Sequence, residues 1–429
     1  MKFKLLAAVA ATMTAVSPAL ADLVIPALNY RTGAYATSGI PYADGFSDYM
    51  TMLNERDGGI GGEMVKVVEC ETGYSTEKGV ECYEQTKGQG ALVYIPQSTG
   101  ITYQLIPKAS ADGIPVWSVA YGRTSAVNGK VFEWVFNLPV TYWDGASVAV
   151  KYALGEEGGS LKGKKIALVY HNSAYGKEPI RTLEKLSEKH GFDLTLLPVD
   201  HPGQEQKSQW LQIRREKPDY VMMWGWGVMN QVAVQEAANI RFAMDKFIGV
   251  WWSGSEGDVA PAGVAANGYK AMTFHGVGTD YPALQDVKKY VLDAGKNAGD
   301  GSKWGQVTYN RGIYAAAVVA ETIRQAQAKT GKASISAADM RNAMEALDIS
   351  DARFTELGLG GFAPAIKLSC AVHSAPRQAA MQQWDAGSQT WSLITDFMEP
   401  DFSVVDPLIE EDSLAYAKEN NITPRDCKM

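Results

Sequence analysis

The residues best suited to recognise a solute stand just after short apolar runs. Gln97-Ser98-Thr99 follows the run ending at Ile95 and opens a stretch of helical pattern, so hydroxyls, free backbone N–H groups and the positive end of a helix dipole converge there. Such a turn suits a carboxylate, and the plainer reading is an ordinary Ser/Thr helix cap. Trp117, Ala120, Tyr121 and Arg123 lie at or after the next run, Tyr175-Gly176 follows the run ending at Tyr170, and Glu256 follows the run ending at Trp251. Gly225-Trp226-Gly227 opens a helical stretch after an apolar strand, with Asp245 about 20 residues on, which is the outline of a dinucleotide fingerprint. Asn230 stands in place of its third glycine, and bulky Trp226 sits where a pyrophosphate needs close backbone approach. The motif reads better as a Trp displayed at the C-terminal end of a strand, where open α/β sheets bind ligands.

Catalytic signatures are missing from the sequence. There is no G-x-S-x-G elbow and no G-x-x-x-x-G-K-[ST] phosphate loop, and His171, His190, His201, His275 and His373 form no H-E-x-x-H pair. Neither a cofactor nor a metal site is expected. The 429 residues carry a formal charge of −8, which opposes binding to nucleic acid or an anionic membrane surface. With 46% hydrophobic and 21% charged residues the chain can bury a real core. Eleven Trp and twenty Tyr supply the large amphipathic rings that line recognition sites as well as cores.

The elements that must hold these residues alternate. Strands are predicted over 23–30, 65–71, 91–95 and 115–119, with helices over 42–56, 75–87 and 99–111 between them. The alternation restarts with strands at 165–170, 193–197, 220–224, 246–251 and 268–273 and helices at 177–190, 204–217 and 229–241, and residues 135–140 join the two halves. Helices are then predicted over 282–298, 304–330 and 336–346, the last capped by Ser336. Short strands and loops follow from Gly360, and 401–429 reads as an acidic, then polar extension. Such alternation implies parallel sheets covered by helices on both faces.

The first 21 residues follow a different chemistry. Lys2 and Lys4 precede an apolar run from Leu5 to Val16, and Ala19-Leu20-Ala21 offers a small-x-small cleavage site, the pattern of a secretory signal peptide. No lipobox cysteine follows, so a free periplasmic product is expected. The four cysteines, Cys70, Cys82, Cys370 and Cys427, show no C-x-x-C spacing, and an even count in an oxidising compartment favours two disulfides. Of three pairings, proximity in sequence favours Cys70 with Cys82 and Cys370 with Cys427.

The export signal, Thr32-Gly33-Ala34-Tyr35, Gly58-Gly59-Ile60-Gly61-Gly62, the Ser98-Thr99 turn and Tyr175-Gly176 together resemble the leucine/isoleucine/valine-binding family of periplasmic ABC-transporter receptors, over most of residues 22–395. The resemblance implies a type I periplasmic binding fold, α/β, with two doubly wound parallel-sheet lobes joined by a three-segment hinge. It places residues 22–138 and 275–370 in lobe 1 and 139–274 and 371–400 in lobe 2. By position, Ser98 and Thr99 match the turn that binds the ligand carboxylate, and Ala120 and Gly122 match the next loop, where Gly122 lacks the usual hydroxyl and is flanked by Tyr121 and Arg123. Tyr175 matches a pocket tyrosine, Trp226 a position often Tyr, and Glu256 the acid that pairs with the ligand ammonium. Tyr35 and Trp117 complete the expected ligand-binding set. The departures at Gly122 and Trp226 resemble longer members that take aromatic or aryl-carboxylate solutes. The implied function is a monomeric solute-binding protein, not an enzyme, that delivers a small hydrophobic or aromatic amino acid to the membrane subunits of an ABC importer. The alternatives are an aromatic carboxylic acid in the same role, a periplasmic ligand sensor, or an enzyme whose site carries no recognised motif.

Overall fold

Strands form where the apolar runs lie, and the helices between them bury the faces those strands leave open. The computed structural model describes residues 22–427, so the expected signal peptide over 1–21 lies outside the described residues. Strand β1 (Leu23–Asn29) is joined by helix α1 (Ala36–Asp57) to β2 (Val65–Glu71), which pairs with β1 in parallel, Leu23 opposite Val65 and Asn29 opposite Glu71. Helix α2 (Thr76–Thr86) follows, and residues 91–95 then bridge to β1 at Ala91 and Ile95. Helix α3 (Thr99–Asp112) leads to β3 (Val116–Trp117), which bridges Tyr94 on one side and pairs in parallel with β4 (Val135–Phe136) on the other. The first sheet therefore runs β2, β1, 91–95, β3, β4.

The second sheet is built by the next crossovers. Helix α4 (Tyr142–Glu156) enters it, followed by β5 (Lys165–His171), the short α5 (Ala174–Lys177), α6 (Ile180–His190), β6 (Asp193–Val199), α7 (Lys207–Glu216) and β7 (Tyr220–Trp224). Then come α8 (Val228–Asn239), β8 (Phe247–Gly249), α9 (Glu256–Val259) and β9 (Lys270–Thr273). The chain returns to the first sheet through α10 (Pro282–Val287), α11 (Val307–Thr330), α12 (Ala337–Glu345), β10 (Asp348–Ile349), α13 (Asp351–Glu356) and β11 (Ile366–Lys367). It crosses a third time to supply β12 (Ala380–Asp385) and β13 (Thr390–Leu393), and α14 (Phe402–Glu419) closes the chain. The order β6-β5-β7-β8-β9-β12-β13 is parallel as far as β9 and antiparallel beyond it. Two doubly wound lobes joined by three crossings result, with β7 buried along its whole length.

Several elements differ from the sequence expectation. Helix α4 is absent from the expected elements because it is buried nearly all round and shows no polar stripe, although Thr141 and Asp144 form a reciprocal capping box at its start. Only 282–287 of the stretch expected to be helical to 298 is α-helix, and a π-type turn over 288–292 follows. Residues 402–419 are a helix, not an extension. Helix α14 is fastened to both halves, by Asp412 to Arg123, by Glu411 to Arg181 of α6 at 2.5 Å, and by Asp406 to Arg377 of the third crossing at 2.7 Å. Arg377 also pairs at 2.7 Å with the buried Asp144. Both expected disulfides are present, Cys70–Cys82 and Cys370–Cys427.

Candidate functional site

Two helices that touch at their backbones set the floor of the site. A Cβ on Gly312 would lie 2.2 Å from the Tyr42 carbonyl oxygen, and one on Gly45 2.1 Å from that of Tyr309, so α1 and α11 come close only because both positions are glycine. This contact fixes Tyr42 and Arg311, one on each helix, against the other lobe.

Above them the aromatic residues of both lobes meet. Tyr121, after β3, stacks on Trp252, after β8, with ring centroids 4.2 Å apart. Trp226, after β7, packs edge-on against Trp252 at 5.1 Å and against Tyr30, at the end of β1, at 5.8 Å. Tyr74 packs on Tyr30 and Tyr35 at 4.9 and 4.6 Å. Tyr142 accepts a hydrogen bond from Trp252 Nε1 at 2.9 Å and lies 5.2 Å from Tyr175. Tyr30, Tyr35, Tyr121, Tyr142, Tyr175, Trp226 and Trp252 are all buried, so the two lobes share one box of π faces and phenol hydroxyls. Burial holds the phenols of Tyr30, Tyr121 and Tyr142 neutral, well above the usual range.

One cation sits at the box. The Arg311 guanidinium carbon is 5.0 Å from the Trp252 ring and 4.9 Å from that of Phe274. Its Nη1 donates to the Trp251 carbonyl, and its Nε donates to His275 Nε2 at 3.2 Å. Burial lowers the Arg311 pKa to about 10, so the group remains charged at neutral pH. The nearby acids are engaged elsewhere. Asp258 accepts from Asn230 Nδ2 and from the Ser255 amide, both at 2.9 Å, and burial raises its pKa to about 7. Glu256 accepts from the Val307 amide, in the first turn of α11, at 3.0 Å, and burial raises its carboxyl too.

The structure brings Tyr35, Tyr121, Tyr175 and Trp226 of the sequence-predicted set to this box. Tyr175 also donates to the Gly225 carbonyl at 2.8 Å. Ala120 borders the box, its carbonyl accepting from Trp251 Nε1 at 3.1 Å. Ser98 caps α3 through the Ile101 amide at 3.4 Å, and Thr99 Oγ1 accepts from the Gly122 amide at 3.0 Å. Gly122 has a steric reason to lack a side chain, since a Cβ there would lie 2.5 Å from Glu178 Oε1 and 2.6 Å from Thr99 Cγ2. Three residues point elsewhere. Trp117 donates to the Leu138 carbonyl at 3.1 Å inside the first lobe. Arg123 is held by Asp412 and Ser125 and lies over the Tyr416 ring of α14. Glu256 reaches the start of α11, as described above. The sequence reading missed Tyr30, Tyr42, Tyr74, Tyr142 and Arg311. Arg311 had a signal, being the only charged residue in the stretch from Val307 to Ala320.

A two-lobed frame with aromatic residues from both lobes at its seam fits a clamp for a small solute, and residues 22–389 match the family model described as periplasmic binding protein. The chain belongs to that family. Its members are solute-binding proteins and not enzymes. This periplasmic binding protein is 42% identical to a crystal structure from the Pseudomonas fluorescens group described as an ABC transporter permease, which covers 95% of this chain and all of that one at a TM-score of 0.87. It is 29% identical over 181 residues to a Leu/Ile/Val-binding protein homolog of Brucella melitensis, a match to 41% of this chain that spans about half the length of that curated relative, 47%. A branched-chain amino acid ABC transporter structure from Thermus thermophilus with bound valine shares the fold at 19% identity and a TM-score of 0.76, over 89% of this chain and 97% of that one.

Proposed function

We propose that this periplasmic binding protein is the solute-binding component of an ABC importer, that it is exported by cleavage of residues 1–21, and that it holds a small aromatic or hydrophobic amino acid or aromatic acid between its lobes. The observation that carries the reading is the box itself, in which Tyr30 and Tyr121 of one lobe meet Trp226 and Trp252 of the other. A solute seated among rings from both lobes stabilises the arrangement in which the lobes meet, so its affinity is the sum of its contacts less the cost of bringing them together. The membrane subunits of the importer would recognise that arrangement. Lobe 1 comprises 22–138 and 275–370, and lobe 2 comprises 139–274 and 371–400, with α14 laid across both. Ser98, Thr99, Ala120, Tyr121, Gly122, Tyr175 and Trp226 belong to the loops that face the solute. The matches to a Leu/Ile/Val-binding homolog and to an ABC transporter structure support the transport role.

Calorimetric titration of the chain from residue 22 onward with leucine, phenylalanine, benzoate, phenylacetate, benzamide and phenylacetamide tests the proposal. Saturable one-to-one binding of at least one of them is expected. Binding of none would overturn it.

A further inference from the structure

We infer that Arg311 is the anion-recognising residue of this site and that the solute it selects is a small aromatic monocarboxylate lacking an ammonium group, an inference that rests on the solute-binding reading above. Arg311 is fully buried and, among the described residues, makes no ion pair with a carboxylate; Asp258 and Glu256 act on its charge only through space. A guanidinium taken out of water without a directly paired counter-charge is costly, and its two hydrogen-bond partners are both neutral. One is the Trp251 carbonyl. The other is His275 Nε2, whose role as acceptor is set by the ring's second nitrogen, Nδ1, which donates to the Gly276 carbonyl at 2.8 Å. Burial and the neighbouring Arg311 charge hold that imidazole neutral.

The remaining donor capacity is unspent. Arg311 Nη2 is buried with no hydrogen-bond partner, and so are the Tyr42 hydroxyl and Trp226 Nε1 of the same box. A group that accepts from several donors at once and carries a full negative charge is a carboxylate, and its pairing with arginine is charge-assisted. The surroundings specify the rest of the molecule. Trp252 and Phe274 flank the guanidinium at about ring-contact distance, and Tyr121 and Trp226 continue the aromatic wall.

An α-amino acid would bring a second charge that finds no counterpart. Asp258 is occupied by Asn230 and the Ser255 amide, Glu256 by the Val307 amide and the Ser255 hydroxyl, and Glu178 by the hydroxyls of Tyr103 and Thr124. Each of these acids already accepts from donors within the protein, whereas Arg311 Nη2 has no partner at all. The unspent capacity at the box is therefore a donor's, and it belongs to a cation.

The test is calorimetric titration of the same chain with matched pairs, benzoate against benzamide and phenylacetate against phenylacetamide, with phenylalanine as the zwitterionic control. At least one carboxylate should bind about 100-fold more tightly than its amide, and more tightly than phenylalanine. Arg311→Gln should weaken that carboxylate by about 100-fold and leave the amide little changed, and Arg311→Lys should keep part of the preference. Loss of contacts by misfolding alone would weaken acid and amide together, so the ratio separates recognition from support of the fold. If Arg311→Gln does not fold, the wild-type ratios and the Lys variant decide. Equal binding of acid and amide by the wild type, tighter binding of phenylalanine than of either acid, an unchanged preference in Arg311→Gln, or no binding by either acid would each overturn the inference. The broader solute-binding reading falls only if none of the compounds binds.

Discussion

Tyr35 Oη lies 2.8 Å from His171 Nε2, a hydrogen bond that ties the loop after β1 to the end of β5 and so joins the two lobes. The same hydroxyl is 2.5 Å from His201 Nδ1, and the other nitrogen of His171 faces Ser173 Oγ at 2.8 Å. With one proton to give, the tyrosine donates to one imidazole and accepts from the other.

A pH dependence follows from this contact. Burial, with His201 alongside, lowers the His171 pKa to about 4 from an ordinary 6.5, and Asp200 opposes the shift only in part. A base whose folded pKa is depressed stabilises the fold above the unfolded value and loses that contribution as pH falls from about 6.5 toward 4. The loss is on the order of 3 kcal/mol over that window. Melting curves of the wild type and of His171→Gln between pH 7.5 and 4.5 check it. The variant should show the shallower slope, and equal slopes would mean that His171 is not buried as described.

The close approach of α1 and α11 makes a second expectation. Gly312→Ala places a methyl group where the Tyr42 carbonyl stands, with backbone on both sides and no flexible neighbour to yield. A destabilisation of about 1 to 3 kcal/mol is expected, together with weaker solute binding, because Arg311 moves with the helix. Denaturant unfolding and titration of the same variant would reveal both. A variant as stable as the wild type would rule out the backbone contact.

Legibility in the sequence divided along physical lines. The edges of β5 and β7 are readable because buried parallel strands are near-continuous apolar runs bounded by turn residues. Helix α14 reads as an extension in the sequence because its charged residues outnumber its buried ones, Pro407 falls within it, and its partners Arg123, Arg181 and Arg377 are distant in sequence. Tyr35, Tyr121, Tyr175 and Trp226 could be anticipated at strand ends, since loops at one edge of a sheet converge. Arg123 could not be turned the right way, because its direction is set by Asp412, nearly three hundred positions later by the chain's own numbering. Arg311 sits in a stretch that reads as core, although a lone charge between Val307 and Ala320 demands a reason for its burial.

The disulfides give a third expectation. Cys370 and Cys427 are 57 residues apart and Cys70 and Cys82 only 12, so loop-closure entropy assigns about 4 kcal/mol to the first and about 3 kcal/mol to the second. Replacing Cys370 and Cys427 together by Ser should lower the unfolding free energy more than replacing Cys70 and Cys82, as measured by denaturant titration. The reverse order would show that strain or residual structure outweighs chain entropy at these positions.

Glu256 offers a fourth. Its Oε2 accepts from the Val307 amide, and a glutamine carbonyl oxygen can accept the same bond. Glu256→Gln should therefore change the affinity for an aromatic acid by less than about 0.5 kcal/mol. Were Glu256 the counter-charge of a buried ammonium, the loss would be about 2 to 5 kcal/mol. Titration of the variant with the tightest ligand distinguishes the two.

The central claim is that the solute sits among the rings where the lobes meet, and Trp226→Ala tests it most directly. Thermal unfolding of the wild type at a ligand concentration of about 100 times Kd should show roughly 2.7 kcal/mol of added stability with an aromatic solute. Under the same conditions Trp226→Ala should retain its fold and bind that solute about 1 to 3 kcal/mol more weakly. Equal affinity in a folded Trp226→Ala would contradict the placement of the site.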